Sequence, residues 1–237
     1  MHTNEKTVLI DGDEIAYRTA FACEQEFKWD SDTISLCTSE QDLRKALDQQ
    51  IIKAKRDTKA TKIKVALTSK TNFRLDLLPE YKANRTARKP LGLSYCKSYL
   101  TEEYGAEIHE GIEADDLLGI WACEQKDKII WAVDKDFLTV PCNLYRKDKL
   151  MHITVAAADY NLRLQTMVGD TTDNFKGAKG FGEKTAAKWL DTHGDSWVSV
   201  LKAFKKAGQT TEDCIINAKL SRILRTIEDI NWTPLND

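Results

Sequence analysis

The sequence is poor in the closely spaced ligands that hold zinc or form disulfide frameworks. Its six cysteines lie far apart with no Cys-x-x-Cys pair, and its four histidines are equally scattered. Both kinds of site need cysteines or histidines at characteristic short spacings. The pattern therefore argues against them and indicates reduced, mostly buried cysteines, as in cytosolic proteins.

Long hydrophobic runs are also absent. No apolar stretch approaches the roughly 20 residues of a membrane-spanning helix, and the start MHTNEKTVLIDGDE lacks the apolar core and cleavage site of a secretory signal. The 237 residues, 42% of them hydrophobic, can bury one large core or two modest ones. We therefore expect a cytoplasmic protein with no membrane partner. Nothing in the sequence requires more than a monomer.

Charge of one sign does not predominate, because the formal net charge is only −2. The charges are nevertheless arranged in blocks. Residues 82–97 include five basic side chains and no acidic one, whereas residues 101–119 include seven acidic side chains and no lysine or arginine. A basic surface beside an acidic pocket suits a polyanion held over bound metal ions.

Carboxylates occur in four short clusters along the chain. The clusters comprise Asp11; Glu113, Asp115 and Asp116; Asp134 and Asp136; and Asp170 and Asp173. Gathering such groups is costly unless cations neutralise them, and carboxylates are natural ligands for magnesium-type ions. Two such ions roughly 4 Å apart can activate a water and stabilise the leaving oxygen of a phosphodiester. Helix capping or solvent exposure would explain any single carboxylate, but would have to apply independently at all four clusters.

The order of predicted elements indicates an α/β fold. Apolar runs predict strands at 7–11, 62–68, 107–110 and 128–133, and helical periodicity predicts helices between them. From about residue 156 the pattern predicts helices only. We expect a mostly parallel central sheet flanked by helices, with the carboxylates at the C-terminal ends of its strands. A helical subdomain is expected to follow, which divides the chain into 1–155 and 156–237.

A glycine-rich turn, GAKGFGEKTA, precedes a predicted helix that starts near Glu183. Glycines at positions 177, 180 and 182 would let backbone N–H groups approach a phosphate closely. Taken alone, such a turn is equally typical of a loop between packed helices. Its position after GDTTDN makes the phosphate-binding interpretation stronger.

Five segments in the same order resemble the 5′-3′ exonuclease and flap endonuclease family, especially its bacteriophage members. They are LIDGD, PEYKANR, EADD, DKDF and GDTTDNFKGAKGFGEKTA, and the resemblance extends from about Thr7 to Trp189. It implies a PIN-like 5′ nuclease domain with an arch at about residues 80–100, through which a 5′ single strand passes. It also implies a helix-three-turn-helix at about residues 164–192 that binds duplex DNA through its phosphates, often around a potassium ion.

The resemblance further implies roles for individual residues. Inner ligands of two Mg²⁺ or Mn²⁺ ions would be Asp11, Glu113, Asp115, Asp134 and Asp136, and a second, more water-mediated set would be Asp116, Asp170 and Asp173. Lys82 and Arg85 would contact the scissile phosphate, and Tyr81 would stack against a terminal base. The DNA-binding turn would use Gly177, Lys179, Gly180, Gly182, Lys184 and Thr185.

One position departs from the family pattern. Many members carry an aspartate just after the strand that reads KVALTSK here, whereas this chain has Thr68 and Ser69. Water could fill that place, a neighbour such as Asp13 could take it, or metal affinity and rate could be lower than in relatives. We expect activity with an unusually high metal requirement.

The sequence as a whole predicts a structure-selective 5′ nuclease. Its partner would be DNA with a 5′ end or flap, or an RNA–DNA hybrid such as an RNA primer, in replication or recombination, with water as the nucleophile. Two alternatives remain at this stage. One is a PIN-type ribonuclease, and the other is a structure-specific DNA-binding protein that has lost its chemistry through the change at Thr68.

Overall fold

A computed structural model describes residues 5–125 and 127–234 as an α/β assembly followed by a mainly helical part. The helices are α1 (Gly12–Ala22), α2 (Glu40–Thr58), α3 (Arg74–Leu77), α4 (Leu93–Tyr104), α5 (Ala114–Glu124), α6 (Val155–Val168), α7 (Glu183–His193), α8 (Trp197–Lys206) and α9 (Thr211–Ser221). The strands are β1 (Thr7–Asp11), β2 (Gln25–Lys28), β3 (Ile34–Cys37), β4 (Lys62–Leu67), β5 (Glu107–Ile108), β6 (Lys128–Trp131), β7 (Asn143–Arg146), β8 (Lys149–His152), β9 (Gly169–Asp170) and β10 (Phe175–Lys176). Short 3₁₀ turns cover Asp136–Thr139 and Ile227–Asn231.

The central sheet has six strands in the order β5-β4-β1-β6-β7-β8. All neighbouring pairs are parallel except β7 and β8, which form an antiparallel hairpin. The predicted mostly parallel sheet flanked by helices is confirmed. Because β1, β4 and β6 run in the same direction, the side chains that follow them meet at one edge of the sheet.

Helices cover both faces of the sheet. Leu9 in β1 belongs to a buried cluster with Leu118 of α5, whereas its neighbours Val8 and Ile10 belong to a second cluster with α1, α2 and α4. Alternate strand residues point to opposite faces, so one apolar run serves both cores. This is why β1 reads as a continuous hydrophobic segment.

Local chemistry fixes the points where α1 and α5 begin. Asp11 caps α1 by accepting a hydrogen bond from the Glu14 N–H at 3.0 Å. Gly12 follows because a Cβ there would lie 2.7 Å from the Ala66 carbonyl oxygen. At α5, Glu113 and Asp116 form a reciprocal capping box. These caps place acidic residues at the same edge of the sheet.

Helices α6 to α9 share a separate apolar cluster that includes Leu162, Ala186, Phe204 and Ala218. The expectation of helices alone misses the short β9–β10 ladder between α6 and α7. Gly177, which directly follows β10, packs so tightly that a Cβ there would lie 2.1 Å from the Met167 carbonyl oxygen.

Two other hairpins were not predicted, and part of the predicted arch is helical. The β2–β3 pair is almost wholly exposed, so no alternation of buried and exposed residues marks it, and the β7–β8 pair is only four residues per strand. Residues 93–100, part of the predicted arch, instead belong to α4, whose Cys96 and Leu100 are fully buried. Residues 79–92, which include the rest of the predicted arch, form an irregular segment.

The six cysteines are free thiols, and three of them, Cys96, Cys142 and Cys214, are buried. In the two described ranges, no helix combines the length and the apolar character that a membrane crossing requires.

Candidate metal and phosphate site

The strand ends and the start of α5 bring the acidic clusters together at the C-terminal edge of the sheet. Asp11 ends β1, and Asp134 and Asp136 follow β6. Glu113 and Asp115 occupy the cap and first turn of α5. Residues separated by more than a hundred positions therefore share one site.

Two adjoining clefts open at this edge. The larger, of about 880 Å³, is lined by acidic side chains from β1, α1, α5 and the end of β6: Asp11, Asp13, Glu113, Asp115 and Asp134, with Glu14 farther along. The smaller, of about 200 Å³, is lined by Asp115, Asp134, Asp136, Asp170 and Asp173. Four side chains line both clefts, namely Lys82, Arg85, Asp115 and Asp134. Of the eight predicted carboxylates, only Asp116 lines neither.

Five of these carboxylates have no basic partner. Within residues 5–125 and 127–234, no lysine, arginine or histidine nitrogen lies within 4.0 Å of a carboxylate oxygen of Asp11, Asp115, Asp134, Asp136 or Asp170. Carboxylates of this kind, which have no basic partner and line the same two clefts, are the ligands that hard divalent cations prefer. The donor set thus fits magnesium-type ions.

The electrostatics of the site favour bound cations for the same reason. Burial raises the pKa of Asp11 to about 7, and the nearby carboxylate of Asp13 adds to the shift. Burial likewise raises the pKa of Asp136 to about 7, with Asp134 contributing repulsion. The pKa of Asp115 is also raised well above its ordinary value, by burial and then by its acidic neighbours. Each ionised carboxylate here would be stabilised by a metal ion.

Asp116 has a different environment from the other predicted ligands. Its Oδ1 accepts hydrogen bonds from Arg74 Nη2 (2.8 Å) and the Leu224 N–H (3.1 Å). Its Oδ2 accepts from Arg74 Nη1 (2.6 Å) and the Glu113 N–H (3.1 Å). An oxygen of Asp116 does lie within 4.8 Å of ligand oxygens of Glu113 and Asp115. The side chain is also fully buried and engaged by Arg74 and two backbone N–H groups, and the metal-ligand role stays a prediction.

Glu113 is buried but reaches the larger cleft. Its Oε2 lies 3.0 Å from the Tyr81 hydroxyl and 3.3 Å from Arg74 Nη1, and its Oε1 accepts from Lys82 Nζ. Burial alone would raise the pKa of this carboxyl, but Arg74 and Lys82 outweigh it and hold the pKa below the ordinary value. Glu113 is therefore ionised, as the predicted ligand role requires.

Lys82 lies where the two clefts meet. Besides Glu113, its Nζ lies 3.6 Å from Asp173 Oδ2. Burial alone would lower the pKa of Lys82, but Asp115, Glu113 and Asp173 raise it above the ordinary value, so the side chain stays charged. Arg85 lies beside it and forms an ion pair with Asp173. The two cations face the same space as the carboxylates, as a phosphate-binding role requires.

Tyr81 does not have the exposure that base stacking requires. It is only 5% exposed, and its ring packs with Phe175 and Leu220. Its hydroxyl lies within hydrogen-bond distance of Glu113 and Asp173. The stacking role predicted for Tyr81 is not supported by this position, because the face of the ring is covered.

The environment of Thr68 favours one of the three explanations for the missing aspartate. The Thr68 N–H donates to Asp13 Oδ2 at 2.7 Å, which holds Asp13 beside Asp11 in the larger cleft. Lys97 forms an ion pair with the other oxygen of Asp13. Ser69 Oγ instead accepts from the Thr71 and Gly111 N–H groups, away from the cleft. Asp13 is thus a carboxylate held next to the backbone that follows β4.

The glycine-rich turn lies close to the acidic site. Gly182 caps α7, and Lys135, between Asp134 and Asp136, is 4.0 Å from Glu183 in its first turn. The predicted DNA-binding residues other than Gly177 are exposed: Lys179, Gly180, Gly182, Lys184 and Thr185. Gln209 accepts a hydrogen bond from the Lys179 N–H at 2.8 Å and so supports the turn. Sequence patterns singled out neither Gln209 nor Arg74.

The sheet is mostly parallel and brings carboxylates without basic partners beside a lysine and an arginine. This arrangement is typical of one class of enzymes, the nucleases that hydrolyse phosphodiesters with divalent metal ions. Residues 6–161 match the family described as 5′-3′ exonuclease, N-terminal resolvase-like domain. The chain belongs to this family and is a nuclease, which confirms the resemblance found in the sequence.

Curated relatives and solved structures agree with this assignment. The chain is 27% identical to an exodeoxyribonuclease of Enterobacteria phage T3, with 98% of this chain and 94% of the relative covered. It is 28% identical to an exonuclease of Escherichia phage T7, over 94% and 89% of the two chains. A bacteriophage T5 flap endonuclease solved with DNA and metal ions shares the fold, with a TM-score of 0.68 at 15% identity over 91% of this chain and 88% of that one.

Proposed function

We propose that this nuclease hydrolyses phosphodiesters at the 5′ ends and flaps of duplex DNA in replication or recombination, with two Mg²⁺ or Mn²⁺ ions. The observation that carries the proposal is the set of five unpaired carboxylates around two adjoining clefts that share Lys82 and Arg85. Carboxylates gathered without basic partners favour bound divalent cations, and Lys82 and Arg85 beside them offer positive charge to a substrate phosphate.

The clefts suggest which residues would hold each ion. Asp11, Glu113 and Asp13 would bind on the side of the larger cleft, and Asp136, Asp170 and Asp173 on the side of the smaller one. Asp115 and Asp134 line both and would be shared. When bound, the two ions supply an activated water and neutralise charge on the leaving oxygen.

Lys82 and Arg85 would hold the scissile phosphate and oppose the negative charge that develops on it. The backbone around Lys82 is fixed for this purpose. The Lys82 N–H donates to the Asp173 carbonyl at 3.0 Å, and Asn84 Nδ2 donates to the Thr171 carbonyl at 2.7 Å. The cations are therefore attached to the same turn that carries two of the carboxylates.

Duplex DNA would be bound outside the clefts. The exposed turn before α7 presents Lys179, Lys184 and the N-terminal N–H groups of a helix, which favour a phosphate whatever the base sequence. In this proposal residues 1–155 supply the chemistry together with Asp170 and Asp173, and the rest of residues 156–237 holds the duplex, with a potassium ion at the turn. The segment 79–92 would border the passage of the 5′ strand. We propose a monomer acting in the cytoplasm, on DNA or on an RNA–DNA hybrid.

The test is cleavage of a 5′-labelled flap duplex with and without Mg²⁺, by wild type and Asp134→Ala. We expect metal-dependent cuts near the flap junction that disappear in the variant. Glu103→Ala, which removes an exposed carboxylate outside both clefts, is the matched control and should cleave normally.

Other outcomes would identify the alternatives. Tight, salt-sensitive binding without cleavage in Mg²⁺ or Mn²⁺ would make the protein a structure-specific DNA binder. Faster cleavage of single-stranded RNA than of any DNA flap would make it a PIN-type ribonuclease.

A further inference from the structure

We infer that Arg74, outside both clefts, is a positioning residue that orients Glu113 and the first turn of α5 for metal binding and links them to the end of α9. The inference rests on the proposed metal-dependent function. Arg74 opens α3, and its side chain is only 2% exposed. A buried arginine at the junction of three elements must have its charge and its hydrogen-bond donors satisfied.

All five N–H donors of the Arg74 guanidinium have acceptors. Two form a fork on Asp116, from Nη1 to Oδ2 at 2.6 Å and from Nη2 to Oδ1 at 2.8 Å. Nη1 also lies 3.3 Å from Glu113 Oε2. The remaining bonds run from Nε to the Leu220 carbonyl at 3.3 Å and from Nη2 to the Arg222 carbonyl at 2.7 Å. No donor is left for a substrate phosphate.

This arrangement connects the acidic site with the C-terminal helices. The carbonyls that accept from Arg74 lie at the end of α9, where helical carbonyls have no partner within the helix. The Leu224 N–H donates back to Asp116 at 3.1 Å. Arg74 and Asp116 together therefore join the start of α5 to the end of α9.

The geometry of the metal ligands depends on this junction. Glu113 accepts hydrogen bonds from Arg74 and from the Tyr81 hydroxyl on the same oxygen, so this oxygen is held by two side chains that line neither cleft. Asp115 lies in the sequence between Glu113 and Asp116, and both of these contact Arg74. Groups that orient metal ligands in this way typically change metal affinity by 10- to 100-fold when they are altered.

The experiment measures Mn²⁺ binding by isothermal titration calorimetry in the absence of DNA. Arg74→Lys keeps the charge but removes the fork, and we expect its Mn²⁺ affinity to fall about 10-fold or more with the number of bound ions unchanged. Asp116→Asn should behave in the same way. Asp115→Asn, which changes a cleft carboxylate, should instead reduce the number of ions bound.

A control is available in Arg56, whose Nε and Nη2 both contact Asp57 Oδ1 on α2 and which lines neither cleft. Arg56→Lys should bind Mn²⁺ as wild type does. Thermal melts followed by circular dichroism establish that each variant is folded. If Arg74→Lys does not fold, Asp116→Asn tests the same contact with the same expectation.

Two results would overturn the inference. One is wild-type Mn²⁺ affinity in folded Arg74→Lys, and the other is loss of a bound ion in Asp116→Asn, which would make Asp116 a ligand. Failure of the proposed function is distinguishable, because it would appear as wild-type protein that binds Mn²⁺ but does not cleave the flap duplex. Recovery of Arg74→Lys cleavage at high Mn²⁺ would further support a positioning role.

Discussion

Asp115 and Asp116 are adjacent in the sequence and have opposite surroundings. Asp116 is fully buried, with both oxygens bonded to Arg74 and to backbone N–H groups. Asp115 lines both clefts, and no basic nitrogen of the described residues lies within ion-pair distance of it. On a helix, successive residues differ by about 100° in direction, so one turns to the protein interior and the other to the site.

The comparison shows that an acidic motif does not act as a unit. Asp116, whose charge is balanced by a buried arginine and which lines neither cleft, contributes to the fold, whereas Asp115 lines both clefts without a basic partner and is available for a metal ion. The relevant difference lies in the partner rather than in the carboxylate. Substitutions at these two positions should therefore have different consequences.

The largest expected effect is on stability. Asp116→Ala leaves the Arg74 charge buried without its partner, and we expect the free energy of unfolding to fall by about 3–5 kcal/mol. Asp115→Ala removes a carboxylate that is repelled by its neighbours, so the metal-free protein should lose no stability and should gain some. Urea denaturation in EDTA measures both. Equal losses in the two variants would contradict the comparison.

The next effect concerns catalysis rather than folding. Lys82→Ala removes the cation between the clefts, and we expect cleavage at saturating metal to fall about 100-fold, or ~2.7 kcal/mol of transition-state stabilisation. Lys147→Ala, in the turn between β7 and β8, serves as the control and should cleave normally. Unchanged cleavage by Lys82→Ala would remove it from the proposed machinery.

Much of the α/β frame was predictable from the sequence. Apolar runs identified β1, β4 and β6, and an Asp-Gly pair indicated that β1 ends at Asp11. The different surroundings of Asp115 and Asp116 in the EADD motif were not predictable. They depend on Arg74, which is 42 residues from Asp116 in the chain. Burial of Tyr81 was hidden for a similar reason, since Phe175 and Leu220 that cover it are distant in sequence.

A smaller effect should appear in the pH dependence of stability. The pKa values of Asp11 and Asp136 are raised from 3.8 to about 7 in the folded protein. A raised pKa means that the folded state binds protons more tightly than the unfolded state does. Proton binding therefore stabilises the folded state below about pH 4, and this stabilisation is lost as pH rises through 7. Metal ions bind the ionised form. Mg²⁺ should therefore raise the melting temperature more at pH 8 than at pH 5.

The control for the pH effect is Asp11→Asn, which has no proton to lose at this position. Its metal-free melting temperature should decline less between pH 5 and pH 8 than that of wild type. A decline as steep as the wild-type one would show that Asp11 does not titrate as its burial indicates.

The smallest effect tests the position where the chain departs from its family. Thr68 lines the larger cleft and accepts a hydrogen bond from the Ala114 N–H at 3.0 Å, which an aspartate could also accept. Thr68→Asp should therefore lower the Mg²⁺ concentration for half-maximal cleavage several-fold, because an added carboxylate raises cation affinity. Ser69→Asp is the matched control. The Ser69 hydroxyl accepts from the Thr71 and Gly111 N–H groups, so this substitution should leave the Mg²⁺ requirement unchanged. If wild type already saturates at the Mg²⁺ concentration that suffices for a relative with the aspartate, Asp13 fully supplies the missing ligand and the expected high metal requirement is wrong.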